Sequence, residues 1–149
     1  MARTPPNPFP FPPPRVYTGP NIPLRIIRRY ARAIADRFHP DKIILFGSYA
    51  YGTPHADSDV DLLVVMPAYR QGSMAYKIRL ALSAPFPMDL IVRTPQELRR
   101  RLADGDLFHT AIVSRGKVLY EKGNARVGAK GRSQLPRRKK SRPQDTPSP

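Results

Sequence analysis

The chain contains no cysteine, so disulfides and thiolate metal sites are excluded. No apolar stretch approaches the roughly 20 residues that span a bilayer, and the proline-rich start lacks the continuous apolar region of a secretory signal. A cytoplasmic protein with no membrane association is the resulting expectation. Also missing are a Gly-Lys-Ser/Thr phosphate loop, a Rossmann glycine triplet and a His-Glu-x-x-His zinc pair. Acidic side chains are few: 11 Asp and Glu against 26 Lys and Arg give a formal net charge of +15 over 149 residues.

That charge is unevenly distributed, and its distribution divides the chain. Residues 122–149 carry nine basic side chains and one acidic, a net +8, with Arg137-Arg138-Lys139-Lys140 as the longest run. Rich in Gly, Ser and Pro, this segment cannot bury enough apolar surface to order itself, and it reads as a disordered basic tail. Such a tail binds polyanions, nucleic acid included, non-specifically and in a salt-dependent way. At the other end, nine prolines fall within the first 23 residues. Residues 1–21 read as a proline-rich flexible arm, extended or polyproline-like. One domain remains, at residues 22–121, and no internal repeat is found in it.

Within the domain the apolar pattern alternates between helix and strand. Leu24, Ile26, Ile27, Tyr30, Ala31, Ile34 and Phe38 recur at helical spacing with arginines opposite, predicting a helix over Pro23 to Phe38 that His39-Pro40-Asp41 ends. Strands are predicted at Lys42 to Phe46 and Val60 to Met66, with a short helical turn from Ser48 between them. A helix over Ser73 to Ser83 would present Met74, Ile78 and Leu82 on one side. Met88 to Val92 follows as a strand, opened by Pro85 and Pro87. Thr94 as N-cap and Pro95 start a helix to Ala103; Asp104-Gly105-Asp106 breaks it and caps a last helix to about Ser114, before an extended Val118-Leu119-Tyr120. The sum is an α/β (α+β) fold with a small mixed β-sheet packed against helices.

The densest chemical signal lies in fifteen residues: Gly47-Ser48, ten residues, then Asp59-Val60-Asp61, set between the apolar runs Ile43 to Phe46 and Leu62 to Val65. Alternate strand residues share a face, so Asp59 and Asp61 are expected to point the same way, roughly 6 to 7 Å apart. Two carboxylates so close repel, unless a hard divalent cation lies between them and a phosphate completes its coordination. Gly47 would let backbone approach that phosphate, and the Ser48 hydroxyl and N–H would donate to it. Asp89, inside an apolar strand, needs a partner or a metal. The plain alternatives are turn aspartates satisfied by backbone N–H groups and an Asp89–Arg93 pair. His55 lies in the loop before the aspartates, and His109 reads as a packing or surface residue.

Gly47-Ser48-Tyr49-Ala50-Tyr51-Gly52, the spacer ending in Ser58, Asp59-Val60-Asp61 and the later Asp89 resemble the minimal nucleotidyltransferases of the DNA polymerase β-like superfamily. The likeness covers roughly Ile22 to Glu121. It implies the polymerase β-like nucleotidyltransferase fold. Gly47, Ser48 and Ser58 would bind a nucleoside triphosphate, ATP above all, and Asp59, Asp61 and Asp89 would ligate two Mg²⁺ ions, Asp89 also helping to deprotonate the acceptor hydroxyl. Many members carry arginine after the Gly-Ser pair, where this chain has Tyr49; Arg79 and Arg93 are the candidates for the positive charge. Stand-alone members resemble antitoxins paired with a HEPN-domain toxin, in which AMP is transferred to a toxin tyrosine. Transfer to a small hydroxylated molecule of aminoglycoside type, transfer to RNA guided by the basic tail, and a non-catalytic antitoxin acting by steric binding are the alternatives. Arg32 and His39 loosely resemble the Arg-His pairing of HEPN ribonucleases, but they straddle a predicted helix end.

Overall fold

The structure is a computed structural model and describes residues 17–123. Most of the proline-rich arm and nearly all of the basic tail lie outside the described residues. Nine elements follow in the order α1 (Leu24–Phe38), β1 (Lys42–Phe46), α2 (Ser48–Tyr51), β2 (Val60–Val65), α3 (Gln71–Ala81), β3 (Met88–Arg93), α4 (Pro95–Ala103), α5 (Leu107–Arg115) and β4 (Lys117–Glu121). The expected mixed α/β architecture is present. Differences are small: α3 begins and ends two residues earlier than its apolar spacing suggests, β3 extends to Arg93, and Val118 to Tyr120 belong to a paired strand.

The four strands lie in the order β3-β2-β1-β4. β1 pairs antiparallel with both β2 and β4. β3 runs parallel to β2, and α3 makes the crossover between them. Both faces of the sheet are covered, which is why β1 and β2 carry the apolar runs Ile43 to Phe46 and Leu62 to Val65 with no polar alternation. On one face Ile43, Leu45, Leu62, Val64 and Val92 pack with Ile27, Tyr30 and Ile34 of α1 and Ile78 of α3. On the other, Ile44, Phe46, Leu63 and Val65 pack with Ile112 of α5 and Leu98 of α4. Each such Ile, Leu or Phe contributes about 1.5–3 kcal/mol by leaving water.

Local chemistry sets the element ends. α1 stops where His39 turns left-handed (φ 52°) and its N–H donates to the Ala35 carbonyl, with Pro40 blocking continuation. Thr94 Oγ1 accepts from the Glu97 N–H at 3.0 Å, and Asp106 Oδ1 accepts from the His109 N–H at 2.9 Å, so both expected N-caps are made. Arg101 bridges Glu97 on α4 to Asp106 at the head of α5, at 2.7 and 3.1 Å, and fixes the second helix against the first. Deep in the larger core the Tyr30 hydroxyl donates to the Leu82 carbonyl at 2.8 Å, and its ring meets Phe86 edge-on. The chain already joins the domain at Tyr17, whose N–H donates to the Pro85 carbonyl. No helix among the described residues is long and apolar enough to cross a membrane.

Candidate active site

Sheet register brings the carboxylates together. In the parallel pairing of β2 with β3, Asp61 and Asp89 are Cα partners, and in the antiparallel pairing with β1 Asp61 is opposite Phe46. Partners in a ladder share a face. Phe46, Asp61, Asp89 and Ile91 therefore lie on the side of the sheet that α5 covers, at the end where β1 gives way to Gly47. A cavity of about 510 Å³ opens there, lined by Gly47, Asp61, Asp89 and Arg79 among apolar walls from the strands, Tyr51 and α5.

Gly47 is required twice over. Its φ is +75°, in the region that favours glycine, and a β-carbon built on it would overlap the Asp61 carboxylate. The bare backbone here makes room for Asp61, a function the sequence reading did not assign to it. Burial first, and then the negative charges of Asp89 and Asp59, push the Asp61 carboxyl up to about 6 from its ordinary value near 3.8.

Asp59, Ser48 and Ser58 stand differently from the three cavity residues. β2 begins at Val60, whose N–H donates to the Pro87 carbonyl at 2.9 Å. Asp59 thus sits outside the ladder, is exposed and does not line the cavity, although its charge is felt at Asp61. The expectation of two carboxylates alternating on one strand gives way to a pair on neighbouring strands with Asp59 beside it. Ser48 opens α2 and is partly exposed, outside the lining. Ser58 is buried; its Oγ accepts from the His55 N–H at 2.8 Å while its own N–H donates to the His55 carbonyl at 2.9 Å, which closes the loop ahead of the aspartates.

The basic candidates separate clearly. Arg93 Nε donates to His109 Nε2 at 3.1 Å and its Nη1 to the Val92 carbonyl at 3.0 Å, so it is engaged under α5 and not with Asp89. His109 is buried between Arg93 and Asp106, a structural post. Arg79 lines the cavity, with Nη2 on the Met88 carbonyl at 3.2 Å. Tyr49 packs toward Gly19 in the N-terminal segment, outside the cavity lining. Arg32 lies on α1 in an exposed ion pair with Asp36 and helps line a second cavity with His39, remote in register from the aspartates.

The profile of the nucleotidyltransferase domain family matches residues 27–117, an interval that holds Gly47, the aspartates and α5. The chain belongs to the nucleotidyltransferase domain family. Over 98 residues this nucleotidyltransferase is 28% identical to the Methanocaldococcus jannaschii protein named "Putative protein adenylyltransferase MJ0604", covering 64% of this chain and 96% of that protein. A Sulfolobus solfataricus crystal structure described as a "putative nucleotidyltransferase" aligns with TM-score 0.46 at 16% identity, over 66% of this chain and 80% of that one.

In this nucleotidyltransferase the donor set at the cavity floor is hard: carboxylate oxygens, with neither His39, His55 nor His109 lining it. The charge accumulated around Asp61 is of the kind a divalent cation relieves. Among the described residues no three Asp, Glu or His side chains are grouped around one point; Asp59 is near enough for its charge to be felt at Asp61 but stands outside the cavity lining. The cavity also has walls that apolar patterning does not reveal. Phe108, Ala111 and Ile112 wall the cavity from α5, and nothing local in that helix reveals which strand end it covers.

Proposed function

We propose that this nucleotidyltransferase, with Mg²⁺, transfers AMP from ATP to a hydroxyl of a partner protein, a tyrosine of a HEPN-domain toxin, and so acts as an antitoxin. The observation that carries the transfer reading is the in-register Asp61–Asp89 pair beside the bare Gly47 backbone at a cavity floor. Support for a protein acceptor comes from the relative named as a protein adenylyltransferase, matched over 96% of its length.

On this reading the acceptor oxygen bonds to the α-phosphorus, the bond from that phosphorus to the bridging oxygen breaks, and pyrophosphate leaves. Asp89 takes the acceptor's proton. Asp61, Asp89 and Asp59 would hold the Mg²⁺, which when bound neutralises charge on the phosphate oxygens and orients the two reacting oxygens. Gly47 lets the triphosphate approach the backbone and the Ser48 hydroxyl donates to it; Ser58 acts from inside the loop, fixing the chain that carries Asp59. Phe108, Ala111 and Ile112 of α5 give the cavity an apolar side, which lowers the local dielectric and strengthens these electrostatic contacts.

The test is incubation with each of the four nucleoside triphosphates labelled at the α-phosphate, with Mg²⁺ and a HEPN-domain protein as acceptor. Label from ATP should appear on the acceptor and disappear with Asp61→Asn and Asp89→Asn. Label retained equally by both variants overturns the assignment of these carboxylates, and label found only on a small molecule or RNA overturns the protein acceptor.

A further inference from the structure

The cavity's charges do not balance for an anionic ligand. Its lining holds two carboxylates, Asp61 and Asp89, and one cation, Arg79. The helical turn that follows Gly47, α2, is Ser48-Tyr49-Ala50-Tyr51 and has no charged residue. A nucleoside triphosphate carries about four negative charges over its three phosphates, and those that approach this floor add to the charge of the carboxylates. A cation between the carboxylates offsets part of that repulsion, and the remainder calls for a fixed positive group on the protein.

Resting on the nucleotidyltransferase reading above, we infer that Arg79 is the phosphate-binding cation of this site and acts from α3, across the cavity from the Gly47 turn. Three observations carry it. Arg79 is exposed and lines the cavity, so its guanidinium is accessible from the same space as Asp61 and Asp89. Its one hydrogen bond among the described residues goes to the carbonyl of Met88, the residue before Asp89, and it forms no ion pair with Asp89 itself. The Met88 bond fixes the side chain at the strand end, and the guanidinium's remaining N–H donors stay available for phosphate oxygens. Arg93, the competing cation on β3, is taken up by His109 and the Val92 carbonyl four residues further along the strand. Charge alone does not single out Arg79, since Lys77 on the same helix is also exposed; its place in the cavity lining does.

The inference is tested by calorimetric titration of the full chain and of Arg79→Ala, Arg79→Lys and Lys77→Ala with ATP, inorganic tripolyphosphate and adenosine, each in Mg²⁺. The expected result is a loss of roughly 10- to 100-fold in ATP and tripolyphosphate affinity for Arg79→Ala. Arg79→Lys should fall between it and the wild type, because lysine keeps the charge without the planar fork. Lys77→Ala and every adenosine titration should stay at the wild-type value. Wild-type ATP affinity in Arg79→Ala, or an equal loss for Lys77→Ala, overturns the role of Arg79 while leaving the nucleotidyltransferase reading standing. A wild-type protein that binds neither ATP nor tripolyphosphate overturns both. Melting curves of the four proteins should coincide, since Arg79 is exposed and gives the fold one hydrogen bond.

Discussion

Asp61 and Asp89 face one another across β2 and β3 as Cα partners of a parallel ladder. Two carboxylates placed so, with one of them partly buried, oppose folding when no cation lies between them. Burial and the charges of Asp89 and Asp59 push Asp61 up to about 6.

This relationship sets a pH dependence. A carboxyl whose folded value lies above its unfolded one binds more protons in the folded state. Its contribution is therefore fully present below about pH 4 and is lost as pH rises through about 6. With screening of a partly exposed group allowed for, the loss is on the order of 1 kcal/mol. In EDTA, Asp61→Asn should lack this component and match or exceed the wild-type denaturation midpoint at pH 7.5. A variant clearly less stable than wild type at pH 7.5 would mean that Asp61 is held by favourable partners.

Gly47→Ala should destabilise the fold by about 1–2 kcal/mol from the positive φ alone, with a further loss from overlap with the Asp61 carboxylate. A double-mutant cycle isolates the second part. In an Asp61→Ala background the same substitution should cost less, and equal costs in the two backgrounds, measured by urea denaturation, would show that the two residues are not in contact.

Tyr30→Phe removes the bond to the Leu82 carbonyl at 2.8 Å and leaves that acceptor in the core. The expected cost is about 1–3 kcal/mol. This bond joins α1 to the end of α3, and neither Tyr30 nor Leu82 lines the cavity, so ATP affinity should be unchanged. A drop in affinity at a temperature where the variant is fully folded would contradict the separation of core and site.

Deleting residues 124–149 removes eight basic side chains and one acidic. Among the described residues the buried core lies between Ile22 and Leu119, so the melting midpoint should not move. Binding to RNA or DNA should weaken, with a shallower dependence on salt. An unchanged salt slope would place the polyanion contacts on the folded domain.

Much of the architecture is legible in the sequence because it follows from local chemistry. The 3.6-residue recurrence from Leu24 to Phe38, the apolar runs at Ile43 to Phe46 and Leu62 to Val65, and the Thr94 and Asp106 caps each act within a few residues of themselves. The Gly47-Ser48 turn and the Asp59-Val60-Asp61 pair are legible for the same reason. Where α3 begins is less so: Gln71, which the apolar spacing leaves outside, opens the helix, and its side chain accepts from the Thr94 N–H at 2.9 Å, a contact across 23 residues.

The sequence by itself determined that a glycine turn, three aspartates and several arginines would be available between two disparate ends. Only the tertiary structure decided which of them meet. Strand register matched Asp61 with Asp89 and left Asp59 one residue short of the ladder. The docking of α5 walled the cavity, and hydrogen bonding sent Arg93 to His109 while leaving Arg79 at the mouth. Each of these is a pairing between residues distant in the chain, set by how sheet and helices pack, and periodicity and turn chemistry do not encode such pairings.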